Sequence, residues 1–198
     1  VAALQAIEYF ISIQASKTGL STFNLVNNIS GAFGVFRKSV LDLVGGWDAG
    51  TAEDLDMTLR IKNYFGRYKK KFRIIFDPEA IGHTDAPATL KGFLKQRIRW
   101  DGDLSYLYFR KHKPSFRPKL LGWRNFIMII LIGIFSQIVM PFVIFIYTIW
   151  LFVTYPIEYS SAILFMVYVF YFVLLLFMYL VFVLCLSERP GEDLSRLC

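Results

Sequence analysis

Apolar positions fall in short amphipathic groups along the first half of this chain and in two unbroken runs along the second. Val1, Leu4, Ile7 and Ile11 recur at helical spacing with Gln5 and Glu8 between them, which predicts an amphipathic helix up to about Ser12. The polar patch Ser16 to Thr22 interrupts that pattern. Asn27, Asn28, Ser30 and Gly31 then predict a turn ahead of a short strand from Ala32 to Phe36. A helix is expected from Ser39 to Val44, with Ser39 as its N-cap and Gly45-Gly46 as its stop. Leu55, Leu59 and Ile61 carry the next helix. Thr51 and Asp54 have the spacing of a cap, and Glu53 and Asp54 in a first turn favour the positive end of the helix dipole. Phe72 to Phe76 reads as a strand that ends at Asp77-Pro78. After Pro87 and Thr89, Leu90, Phe93 and Leu94 open a helix that carries Gln96-Arg97-Ile98-Arg99-Trp100. It grades into an interfacial stretch in which Tyr106, Tyr108 and Phe109 mix with Arg110 and Lys111.

The runs 126–153 and 159–186 are free of charge, and each exceeds the ~20 residues that cross a hydrocarbon core. Pro141 is placed to kink the first, and Gly133, Ser136 and Gln137 are candidate helix contacts. Trp123, Trp150, Tyr155 and Tyr159 lie near span ends as interface anchors. The 154–158 loop has no lysine or arginine, whereas the segment before the first span is heavily basic. The positive-inside rule therefore puts the first half in the cytosol, the loop outside and the tail from Glu188 back in the cytosol.

Charge narrows the class of partner. The 198 residues carry a formal net charge of +7, and the cations from Lys91 to Arg124 cluster just ahead of the first span. Anionic headgroups or an anionic substrate fit that placement, and nucleic acid does not. The two cysteines, Cys185 and Cys198, form neither a disulfide framework nor a metal cluster, in keeping with a reducing cytosol. The chain opens on Val1 without a signal peptide and reads as a piece of a longer protein.

On a helix, Gln96, Arg99 and Trp100 share one face, while Arg97 and Ile98 turn to others. That face offers an amide and a guanidinium fork for a diphosphate and an indole for a sugar ring. A basic helix lying on the membrane, with Trp100 as its anchor, fits the same five residues. The strings Asp54-Leu55-Asp56 and Asp101-Gly102-Asp103 read as chance matches to a metal motif, because residues i and i+2 of a helix face different ways. His83 reads as a strand-end histidine and His112 as a surface basic residue.

Taken in order, Ser30-Gly31-Ala32-Phe33, the Glu53-Asp54 pair, Gln-x-x-Arg-Trp at Gln96, Arg99 and Trp100, and then two spans resemble the processive family 2 glycosyltransferases of membranes. These include the cellulose, hyaluronan, chitin-oligosaccharide and poly-N-acetylglucosamine synthases. The resemblance implies an α/β fold: residues 1–119 as the carboxyl-terminal part of a cytosolic GT-A, Rossmann-like catalytic domain, and 120–198 as a transmembrane hairpin with a short tail. The family's Thr-Glu-Asp motif falls on Ala52-Glu53-Asp54, with alanine in place of threonine. By resemblance Asp54 is the general base beside Glu53, Gln96 and Arg99 bind the nucleotide diphosphate, Trp100 lines the acceptor site, and Gly31 belongs to the acceptor-side loop. The implied partners are a nucleotide sugar, UDP-linked, a glycan acceptor, membrane lipids and accessory export or regulatory subunits, at the plasma membrane. The family's divalent cation, Mg or Mn, is expected to take its ligands from outside this chain. The other readings are a non-processive transferase acting on a lipid acceptor and an inactive membrane scaffold.

Overall fold

The computed structural model describes residues 2–48, 50–80, 82, 84–187, 190 and 191. The readings placed on His83, Cys198 and nearly all of the tail from Glu188 lie outside the described residues. Helix α1 (Ala2–Tyr9) runs without a break through a π-helical segment, Phe10–Ala15, into α2 (Ser16–Thr22). The polar patch at Ser16 to Thr22 is thus helical rather than an interruption. The hydroxyls of Thr18 and Thr22 donate to the carbonyls of Gln14 and Thr18, so these residues satisfy their polar groups inside the helix. A loop and a 3-10 turn, Gly31–Phe33, lead to α3 (Lys38–Val44). Arg37, not Ser39, occupies its N-cap, and it stops at Gly45 and Gly46, whose φ angles of 87° and 70° lie in the region that favours glycine.

Helix α4 (Glu53–Arg67) follows, then α5 (Leu90–Tyr106), where the Thr89 hydroxyl accepts from the Gly92 N–H at 3.1 Å as a side-chain cap. A π-helical turn, Leu107–Lys111, and a 3-10 turn, Lys113–Ser115, join α5 to α6 (Pro118–Leu121). Next, α7 (Trp123–Met128), a π-helical segment at Ile129–Val139 and α8 (Met140–Thr154) make one continuous helix of 32 residues. The wide turns end just before Pro141, where a wider helix eases the clash of the ring with the preceding turn. Helix α9 (Ile157–Leu186) completes the hairpin.

None of the described residues belongs to a β-ladder, so the strands expected at Ala32–Phe36 and Phe72–Phe76 do not form here. A strand needs a partner, and the partner at 72–76 is a side chain. Asn24 donates its amide to the Phe72 carbonyl and accepts from the Ile74 N–H, both at 3.0 Å, as a neighbouring backbone would; Ser21 Oγ accepts from the Phe76 N–H at 2.8 Å. The segment stays extended and unladdered.

Two apolar clusters tie the first half to the hairpin. In one, Leu55 and Leu59 of α4 pack with Leu107, Tyr108, Leu121 and Ile129, all nearly solvent-free. Burying each leucine is worth about 1.5–3 kcal/mol, which docks α4 on the elements that lead into the first span. Gly133 makes room there, since a Cβ on it would stand 2.6 Å from the Tyr108 hydroxyl. In the other cluster, Phe10 meets Tyr179 edge to face, with centroids 5.5 Å apart, beside Val183. The start of the first long helix and the end of the second therefore both lie against the first half. At the far end, Ser160 Oγ donates to the Leu151 carbonyl at 3.0 Å, and Tyr147, Trp150, Tyr155 and Tyr159 form a chain of ring contacts. Only 11% of the most apolar stretch of either long helix is buried. Apolar surface exposed on every side is compatible with hydrocarbon rather than water.

Lys62 is buried in α4, and its Nζ donates to Asn125 Oδ1 at 2.8 Å. One neutral acceptor leaves most of the cost of burying an ammonium in place, and burial pulls its pKa down to about 7. An unfolded lysine holds its proton to about pH 10.4. Between about pH 7 and 10 the unfolded chain therefore binds the extra proton, and stability rises with pH by at most about 1.4 kcal/mol per unit. Below pH 7 the folded protein must keep the buried charge. Lys62→Met should raise the melting temperature of the full-length protein at pH 6.5 and flatten its rise from pH 7 to 9. An unchanged pH profile would count against this burial.

Candidate active site

The acidic pair sits at the start of α4, after a backbone turn in a left-handed conformation at Ala52, with φ 48°. The Thr51 hydroxyl does not cap this helix; it donates to Asp103 of α5. Asp54 is half-buried and Glu53 exposed. The Asp54 carboxylate is held from several directions: Oδ2 accepts from the Gly31 N–H at 3.1 Å and from the Asn28 amide at 3.4 Å, and Oδ1 accepts from the Leu55 N–H at 2.7 Å. The loop that brings Asn28 and Gly31 here is itself anchored on α4. Thr58 Oγ1 accepts from the Ile29 N–H at 3.0 Å and donates to the Asp54 carbonyl at 2.8 Å. Gly31 allows this approach, because a Cβ would stand 3.3 Å from Asp54 Oδ2 and from Glu53 Oε1. Lys17 of α2 lies close enough for its charge to act on Asp54; burial pushes its pKa down, against the pull of that carboxylate.

The second group lies on α5. Gln96 is half-buried and accepts at Oε1 from Gln5 Nε2 of α1 at 3.0 Å; Arg99 and Trp100 are exposed. Arg97 does not turn away from this face as expected. Its guanidinium pairs with Glu8 and stacks between Phe93 and Trp100, 4.8 and 4.9 Å from the ring centroids. One face of the Trp100 indole is therefore occupied, and the residue as a whole remains 37% exposed.

A charge cluster around the buried Asp56 ties α4 to the turn that follows α5. His112 is buried, not a surface base. Its Nε2 lies 2.7 Å from Asp56 Oδ1, which Lys111 reaches at 3.0 Å, while Arg60 bonds Asp56 Oδ2 at 2.9 Å. Lys111 also bonds Asp48 at 2.5 Å. Burial alone would push the Asp56 carboxyl up; hydrogen bonds from His112 and Lys111 and the charge of Arg60 outweigh it and hold it below the usual range. The cluster pins the first turn of α4 to the end of the π-helical turn that follows α5.

The structure thus brings Gly31, Glu53 and Asp54 together, and carries Gln96, Arg99 and Trp100 on a separate helix, α5. Among the described residues no hydrogen bond runs directly from Asp54 to Gln96, Arg99 or Trp100; the link is Thr51 to Asp103, one turn beyond the motif. Sequence reasoning missed Asn28, Gln5, Glu8, Lys17 and His112 as members of the site. Gln5 and Glu8 gave the clearest signal, a polar pair at i and i+3 on a helix otherwise marked by its apolar face. In the Asp-x-Asp strings, Asp56 is committed to Arg60, Lys111 and His112, and Asp103 to Thr51. Among the described residues no group of three or more His, Cys, Asp or Glu could hold a metal ion.

The chain thus combines a carboxylate held by amide donors, a basic and aromatic helix, and two long apolar helices. The chain matches the family described as Glycosyl transferase family group 2 over residues 6–186, and it belongs to that family. It is 31% identical over 120 residues to a poly-beta-1,6-N-acetyl-D-glucosamine synthase of Staphylococcus epidermidis, covering 60% of this chain and 28% of that one. It is 35% identical over 98 residues to a synthase of the same name from Staphylococcus aureus, covering 49% and 22%. The chain therefore spans 28% or less of the length of these relatives. No solved structure matches it.

Proposed function

We propose that this chain forms the carboxyl-terminal part of an inverting glycosyltransferase, which moves a hexosyl or N-acetylhexosaminyl unit from a UDP-sugar onto a growing polysaccharide at the plasma membrane. The observation that carries this reading is the Asp54 carboxylate, held by Gly31, Asn28 and Leu55 yet half-exposed. So oriented, it can take the proton of an acceptor hydroxyl as that oxygen attacks the anomeric carbon. The new C–O bond forms on one face, the bond to the diphosphate breaks on the other with its electron pair, and the configuration inverts. Arg99 and Gln96 would hold the leaving diphosphate, and Trp100 the acceptor sugar.

The extended segments 34–36 and 72–76 would then be outer strands of a GT-A α/β domain whose remaining strands lie elsewhere in the full-length protein. The described residues do not make up a cation site, so the Mg or Mn implied by the resemblance would find its ligands elsewhere too. The basic approach to the first span supports a cytosolic first half and a 154–158 loop outside. Two helices are too few to enclose a pore, so coupled export requires further helices or accessory subunits.

The test is incorporation of labelled sugar by membranes bearing the full-length protein, offered a panel of UDP-sugars. Polymer formation supports the reading, and no incorporation from any donor overturns it. Trp100→Ala should lower polymer extension several-fold more than donor hydrolysis, as expected for loss of a stacking platform worth about 1 kcal/mol or more. Equal loss of both activities would remove the acceptor role of Trp100.

A further inference from the structure

Gln96 reaches its role through a residue on another element. A glutamine amide can present either its carbonyl or its NH2 group, and phosphate oxygens accept but do not donate. To bind a diphosphate, the Gln96 side chain must therefore face it with Nε2. Alone on a half-exposed helix face, the amide is free to rotate between the two senses.

Gln5 supplies a partner for one of those senses. It is 2% exposed, and its Nε2 donates to Gln96 Oε1 at 3.0 Å across 91 residues of sequence. The Gln96 carbonyl is thereby occupied on the α1 side, and its NH2 is left for whatever lies on the other. The helix that carries Gln5 is in turn held from both directions, while Gln5 Oε1 is buried without a hydrogen-bond partner. One turn along α1, Glu8 pairs with Arg97 of the same motif. A further half-turn along, Phe10 is wedged against Tyr179 and Val183 of α9. The helix that carries Gln5 is thus fastened to the motif helix and to the end of the second long helix at once.

We propose that Gln5 is a positioning residue that sets the amide sense of Gln96, so that the motif meets a nucleoside diphosphate with a donor. This rests on the glycosyltransferase reading and adds a residue to its donor grip. Gln5 touches no substrate itself. Its effect is confined to the diphosphate and passes through Gln96.

The test is UDP binding to the purified full-length protein, for Gln5→Glu, Gln5→Met, Gln96→Ala and the two double variants, with melting temperatures recorded alongside. Gln5→Glu keeps the shape and, ionised at the assay pH, can only accept, so it draws in the Gln96 NH2 and turns the carbonyl toward the diphosphate. Gln5→Met removes the polar partner. Each should weaken UDP binding by roughly tenfold, the loss of one hydrogen bond to a charged group, and raise the donor KM more than it lowers kcat. In the Gln96→Ala background neither should weaken binding further, because the route of action is gone.

Unchanged UDP affinity in Gln5→Glu would mean that the two amides bond in the opposite sense, and would overturn the proposal. Losses that add in the double variants would assign Gln5 a general structural role and overturn it as well. The underlying reading fails differently: Gln96→Ala would then bind UDP as tightly as the native protein, and the proposal would fall with it. Weakened binding in Gln96→Ala with none in either Gln5 variant overturns only the proposal.

Discussion

Asp54→Asn in the full-length protein should lower sugar transfer by roughly 10²–10⁴-fold, the contribution of a general base, and leave membrane insertion intact. Asparagine keeps the shape of the side chain, and its Oδ1 can still accept one of the bonds from Gly31 and Leu55, so the 27–31 loop keeps its seat on α4 through Ile29 and Thr58. What asparagine cannot do is take a proton from an attacking hydroxyl. Glu53→Gln provides the contrast, since Glu53 is exposed and touches the site only at the edge of Gly31. It should cost far less. Incorporation of labelled sugar by membranes carrying either variant measures both, and native-level transfer by Asp54→Asn would remove Asp54 from the chemistry.

Gly66→Ala should be the most damaging single methyl in the fold. Gly66 lies in the last turn of α4, where the α6 backbone crosses it; a Cβ there would overlap the Leu120 carbonyl oxygen and lie 2.7 Å from its carbon. The obstacle is backbone and cannot rotate aside. Overpacking of this kind costs about 1–3 kcal/mol or more, and it exceeds the ~1 kcal/mol that alanine gains over glycine inside a helix. The displaced element, α6, leads directly into the first long helix and packs Leu121 into the cluster with Leu55 and Leu59. Gly102→Ala in α5 has no neighbour of this chain within 4 Å and should be neutral or stabilising by up to ~1 kcal/mol. Thermal melting of the two full-length variants side by side separates steric clash from helix propensity; equal melting temperatures would refute the close crossing.

What could be read from the sequence was whatever depends on neighbours within a turn or two. The long helices were legible because a hydrocarbon core demands ~20 uninterrupted apolar residues, and they run from Trp123 to Thr154 and from Ile157 to Leu186, a little beyond the expected 126–153 and 159–186. Helices α4 and α5 were legible from their apolar spacing. The cap at Thr51, the strands, and the place of His112 were misread because their deciding partners are remote. Thr51 bonds Asp103, 52 residues on, and His112 bonds Asp56, 56 residues back. The extended segment at 72–76 meets an asparagine and a serine instead of a strand. In the candidate site, residue types on one helix face named Gln96, Arg99 and Trp100, and the family resemblance named Asp54. Their supports, Asn28, Gln5 and Glu8, became visible only when α1, the 27–31 loop and α5 were seen side by side. Periodicity cannot report such contacts.

The most direct test of the account is the stereochemistry of transfer. Full-length protein in membranes would be given an α-linked UDP-sugar, and the anomeric configuration of the newly formed bond read by NMR from the product. Asp54 acting as a base for direct attack by the acceptor predicts a β-linked product. An α-linked product would require two displacements or a front-face mechanism, and would contradict the role assigned to that carboxylate.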